Sequence, residues 1–195
     1  DARNDYGQVW ASGSQKFVLM KGVADSLAGR LCPLELMPLS LYERQGKGLE
    51  HKPYVPSVLP AKTLSAGDAA DLWKTIWQGA WPRVINMTPR QRLFFYSGLV
   101  QTYLERDLRT EAGVEKLSAF RGFLRELALR TGQELRIGDI AKTVGVSDKT
   151  INGWLSIAEN SGLIYLLRPY YANIGKQFVK LPKIYFTDTG LAAYL

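Results

Sequence analysis

Residues 137–163 read IGDIAKTVGVSDKTINGWLSIAENSGL, and this stretch decides how the C-terminal part of the chain folds. A helix-turn-helix needs a small residue where two helices cross, a turn residue that tolerates positive φ, and apolar residues on both inner faces. With Ile137 as the first position, Ala141 falls fifth and Gly145 ninth. Apolar Ile140, Val144, Val146, Ile151 and Trp154 occupy positions four, eight, ten, fifteen and eighteen. Ser147 has the chemistry to cap the second helix, with Thr150 three residues on.

Downstream, LIYLLRPY (163–170) and KQFVKLPKIYF (176–186) read as two strands joined by a turn near Asn173–Gly175, which makes a wing. The module is then a winged helix over residues 132–195. A DNA reader of this build meets base edges with the exposed face of its second helix and phosphates with its wing. The exposed candidates are Ser147, Lys149, Thr150, Asn152 and Gly153. Asn152 suits adenine, and Lys149 suits guanine or phosphate. Asp148 and Glu159 on the same helix dilute the field. The wing is more basic: no acid lies between Glu159 and Asp188, whereas Arg168, Lys176, Lys180 and Lys183 do. Duplex DNA and a protein surface both remain open as partners.

Working upstream, the pattern turns helical. Thr88 and Pro89 open one helix by capping chemistry. Another runs from about Val114 to a stop at Gly132. A third spans Ser65 to Trp81, with Trp73, Trp77 and Trp81 at four-residue spacing, read as core packing. Residues 45–66 are rich in Gly, Pro, Ser and Lys and read as a loop. Residues 8–44 read as strand, helix, strand: GQVWAS, then FVLMKGVADSLAG with Phe17, Met20, Val23 and Leu27 on one face, then RLCPLELMPLSL. The fold class expected is therefore α+β and mainly helical.

Composition agrees with a globular protein. Apolar residues make up 46% of the 195, and the net charge is +7, which favours a polyanionic partner. One cysteine, Cys32, excludes an internal disulfide and is read as a buried thiol in a strand. No apolar run approaches the ~20 residues of a membrane span, and DARNDYGQ lacks the features of a signal peptide. The expectation is a cytoplasmic protein with no membrane partner. His51 stands without neighbouring His or Cys, so no metal site is expected.

Several ordered segments resemble the archaeal-type AAA ATPases of the P-loop superfamily that carry a C-terminal domain of unknown function. GSQKFVLMKGVADSLAGR (13–30) resembles that family's sensor-1 strand and following helix, and LELMPLSLYE the next strand and turn. WQGAWPRV resembles the element opening the lid, and QTYLERDLR its Glu-Arg-Asp stretch. From Phe120 to Leu195 the likeness to the winged-helix part is nearly continuous. The resemblance implies four parts: an ATPase core remnant over 1–44, a loop over 45–66, a helical lid over 67–131, and the winged helix over 132–195.

The family's Gly-rich loop ending GK[ST], which holds the phosphates, and its acidic Mg²⁺-binding strand do not occur in this sequence. The chain thus reads as a middle-to-C-terminal piece, cut on both sides. The resemblance implies ATP and Mg²⁺ as cofactors of the intact parent, no cofactor for the piece, and no ATP hydrolysis by the piece alone. Its partners would be duplex DNA, the missing ATPase half or like subunits. It assigns Ser12 or Ser14 to orienting the attacking water and Arg30 to an arginine finger. A stand-alone DNA-binding regulator and a protein-interaction scaffold remain as rival readings.

Overall fold

The computed structural model describes residues 32, 34–50, 68–104, 117–170 and 180–195. The chain divides into two units, 1–35 and 36–195, and the second holds nearly all of the described residues. The boundary lies earlier than residue 44. Leu39 N donates to Ala80 O at 2.8 Å, and the Arg44 guanidinium donates to Gln78 Oε1 at 2.5 Å, so residues from Leu36 onward belong with the helices that follow.

The second unit is α+β and mainly helical. No strand forms over the described residues of RLCPLELMPLSL. Pro38 has no donor to give a ladder, and Ser40 instead caps a short helix, α1 (Leu41–Arg44), in a reciprocal capping box with Glu43. Cys32 is exposed rather than buried.

Helix α2 (Ala69–Gln78) starts where the Asp68 carboxylate accepts from Asp71 N and stops at Gly79, whose φ of +77° is open to glycine. That stop corrects the reading of the tryptophans. Trp73 and Trp77 stay on the outer face of α2, 60% and 58% exposed, and Trp81 lies beyond the helix end on a different course. Trp81 alone packs inward, edge-on against Phe95.

Helix α3 (Pro89–Gly98) is opened by a Thr88–Gln91 capping box with Pro89 in the first turn, and continues as π-helix over Leu99–Leu104. Helix α4 (Leu117–Leu129) buries Phe120, Phe123, Leu124 and Leu127, the three-and-four spacing of one helical stripe. Then come α5 (Ile137–Val144), α6 (Asp148–Asn160), strands β1 (Ile164–Leu167) and β2 (Lys183–Phe186), and α7 (Thr189–Tyr194).

The strands pair antiparallel, with Ile164 opposite Phe186 and Leu167 opposite Lys183. β2 is shorter than expected. It begins only after Pro182, and Asn173–Gly175 and Lys176 lie outside the described residues. The other edge of β2 is taken by a segment the sequence did not reveal as extended. Gly132 N donates to Ile184 O, Ile184 N to Gln133 O, and Leu135 N to Pro182 O.

One buried cluster runs from Val84 and Tyr96 through α4, α5 and α6 to Ile184, Phe186 and Leu191. The turn at Thr131–Gly132 therefore separates helices without separating cores. At ~25 cal/mol per Å² of buried apolar surface, that continuous core is the main force holding these elements together.

Candidate nucleic-acid interface

The α5–α6 pair is set by its turn. Gly145 takes φ +76° and ψ +35°, closing α5 with its N–H on Ala141 O. Ser147 Oγ then accepts from Thr150 N at 3.2 Å and starts α6. Ala141 is 4% exposed at the helix crossing, and Ile140 and Ile151 are fully buried.

Trp154 fixes the roll of α6. Its ring meets Phe120 edge-on at 5.3 Å and Phe123 at 5.5 Å between centroids. With Ile151, Leu155 and Ala158 also inward, the opposite face must carry Lys149, Asn152, Gly153 and Ser156, and all four are exposed. A side chain added at Gly153 would meet open space.

The expected readers are not equivalent. Ser147 and Thr150 are joined hydroxyl to hydroxyl at 2.9 Å within the cap, so their polar atoms serve the helix start. Asn152 Nδ2 donates to Asp148 O at 2.9 Å, and contact with a base edge through that amide would exchange this bond. Lys149 forms no ion pair among the described residues. Arg168, Lys180 and Lys183 are exposed near the outer end of the β1–β2 ribbon. Ser12, Ser14, Arg30 and Lys176 lie outside the described residues. Among the described residues no cluster of His, Cys, Asp or Glu could hold a metal, and no helix is long and apolar enough to cross a membrane.

Sequence reasoning missed a polar knot that joins the ends of the unit. Asp188 is 1% exposed. Its Oδ1 accepts from Leu191 N at 2.7 Å and from the Tyr96 hydroxyl at 2.8 Å, and its Oδ2 accepts from Ala80 N at 2.6 Å. Three donors offset the desolvation of a buried carboxylate. Burial pushes the Tyr96 phenol well above its ordinary range. The negative charge of Asp188 and the hydrogen bond to it push the same way, opposed by Arg92 and Arg44. Gly79 and Gly190 are required here: a Cβ on Gly190 would fall 2.8 Å from Gly79 Cα. The Asp188-Thr-Gly stretch carried a helix N-cap signal, but nothing in it announced burial.

Against known proteins, the chain is similar to two mycobacterial ones, Uncharacterized protein Mb2031c of Mycobacterium bovis and Uncharacterized protein Rv2008c of Mycobacterium tuberculosis. Each is 27% identical over 180 residues, which is 92% of this chain and 36% of the relative. The chain thus spans about a third of the length of these curated relatives. No solved structure matches it significantly. Residues 69–195 match the model of a domain of unknown function, DUF8612, and the chain belongs to that family.

Proposed function

We propose that this chain is the lid and C-terminal part of an AAA-type ATPase, and that α5, α6 and the β1–β2 ribbon form a winged helix-turn-helix that holds duplex DNA. The observation that carries the DNA reading is Gly153. A glycine in mid-helix costs about 1 kcal/mol relative to alanine, and Gly153 has neither a positive φ nor a packing neighbour to account for it. Between Lys149 and Asn152 on one side and Ser156 on the other, it lets a backbone approach a bulky partner closely. Lys149 supplies the cation, and Arg168, Lys176, Lys180 and Lys183 supply phosphate contacts from the wing.

The ATPase reading rests on the ordered resemblance of the sequence. The greater length of the curated relatives supports a parent with room for a phosphate loop and a Mg²⁺-binding acid. In that parent Ser12 or Ser14 orients the attacking water, Arg30 stabilises charge on the transferred phosphoryl group, and ATP binding repositions the winged helix.

Anisotropy with a labelled blunt duplex tests the first half. Wild type should bind with a steep salt slope, Lys149→Ala should weaken binding, and Lys180→Ala with Lys183→Ala should flatten the slope by about two units. Binding with no salt dependence would sink it. ATP turnover tests the second half: this chain alone should give none, and turnover by it would overturn the assignment to a parent. A protein-contact role is the second reading, favoured by the outward Trp73 and Trp77 on α2. It predicts no salt-dependent DNA binding at all.

A further inference from the structure

We infer that the outer face of the β1–β2 ribbon is a stacking platform for an unpaired DNA strand, distinct from the α6 surface. The inference rests on the nucleic-acid reading above for the class of partner, and adds single-strand stacking on a ribbon whose cations that reading also uses. Side chains alternate across a strand, and the register fixes which ones share a face. Ile164 and Leu166 pack inward from β1, as do Ile184 and Phe186 from β2. The outer face therefore holds Tyr165 opposite Tyr185 and Leu167 opposite Lys183.

This face is unusual for solvent. An antiparallel sheet with one face on the core normally turns polar residues to water. Here Tyr165 is 55% exposed and Leu167 45%. Just beyond β1, Tyr170 is 89% exposed. One cation, Lys183, lies within the face, and two more, Arg168 and Lys180, are exposed just beyond the paired residues of β1 and β2. The carboxylate nearest in register is Glu134, bridged to Lys183 along the backbone, and it already pairs with Arg136 at 3.6 Å.

Exposed aromatic rings with cations close by are what a single strand requires. Its bases have free π-faces to stack on tyrosine, and its phosphates follow the cations. A duplex keeps those π-faces inside its own stack, so it gains the charge and not the stacking. The occupant favoured is therefore an unpaired strand.

The test is anisotropy with a labelled oligothymidylate at low salt, using the 195-residue chain, alongside the blunt duplex. Tyr165→Ala should weaken oligothymidylate binding about tenfold, and Tyr165→Phe should stay within about twofold of wild type. Lys183→Ala should reduce the salt slope by about 0.7. On the duplex, Tyr165→Ala should change nothing, whereas Lys149→Ala should weaken binding. Unchanged oligothymidylate affinity in a folded Tyr165→Ala variant overturns the platform, as does absence of oligothymidylate binding by wild type, whatever the duplex does. Duplex binding that persists in that case leaves the α6 reading standing. Oligothymidylate binding that depends on Tyr165 while the duplex is not held supports the platform and removes the α6 reading. A protein partner would show as neither probe binding, which also overturns it.

Discussion

The Tyr96 hydroxyl donates to Asp188 Oδ1 at 2.8 Å across 92 residues of sequence, and so ties the last turn of α3 to the cap of α7. The same carboxylate holds Ala80, just past the end of α2. One buried residue thus joins α7 to two helices whose contacting residues lie 92 and 108 positions earlier in the chain. Removing it leaves two backbone N–H groups without their acceptor and the Tyr96 phenol with only Gln78 O, at 3.2 Å. Asp188→Ala should destabilise the unit by on the order of 3 kcal/mol, and Tyr96→Phe by about 1 kcal/mol, both read from urea melts.

Alkaline titration gives an independent reading of the same pair. The Tyr96 pKa is raised in the folded state, and the unfolded phenol titrates near 10. Below about pH 10 both states keep the proton, and the stability that the raised pKa represents is fully present. Above it the unfolded chain releases the proton first, so stability falls as pH rises. Tyr96→Phe should show a shallower loss between about pH 10 and 11 than wild type. An identical slope in the two proteins would mean that the phenol is not held in its neutral form.

The glycines on either side of the knot should behave as partners of Tyr96. Alanine at Gly190 would drive its Cβ against the Tyr96 hydroxyl and the Gly79 backbone. Gly190→Ala should cost several kcal/mol, in the range for overpacked or strained sites. Adding Tyr96→Phe to that variant should cost less than it does alone, giving a coupling of at least about 0.5 kcal/mol in a double-mutant cycle. Strict additivity would mean that the backbone contact dominates the clash.

The tryptophans should separate by burial. Trp154 is 2% exposed and locked between Phe120 and Phe123, so Trp154→Ala should lose about 3–5 kcal/mol. Trp73→Ser should lie within about 0.5 kcal/mol of wild type. A large loss at Trp73 would mean that its face is covered in solution.

Gly153 separates stability from binding. Gly153→Ala should raise stability by about 0.5–1 kcal/mol, since its Cβ meets nothing, while weakening duplex affinity. A gain in stability with unchanged affinity would remove the close-approach argument.

What could be read from the sequence was local. The α5–α6 pair was legible because Gly145, Ser147 and the inward Ile140, Ile151 and Trp154 each act within one or two turns of their own position. The Thr88–Pro89 start was legible for the same reason. The tryptophan stripe misled because four-residue spacing carries meaning only while the helix lasts, and Gly79 ends it before Trp81. The strand expected around Leu34 and Leu36 does not form over the described residues: Leu39 N instead meets Ala80 O, a partner some 40 residues away that no local pattern could announce. Among the site residues, Ser147 and Thr150 were found by their side-chain chemistry, but that chemistry is spent on the cap. The Tyr165 face needed the register of two strands before it could be seen. Asp188 needed contacts at separations of 92 and 108 residues.

Those separations also govern when the unit can form during synthesis. Contacts between distant residues are slow to close and arrive late in folding. On a ribosome, α2 and α3 emerge long before Asp188, so the groups it will join meet water and chaperones first. Docking of β2 and α7 therefore closes the contacts around Asp188 after the helices they join have emerged. Until that segment leaves the exit tunnel, the face of the Tyr96 ring that stacks on Tyr194 in the folded unit stays open to other chains.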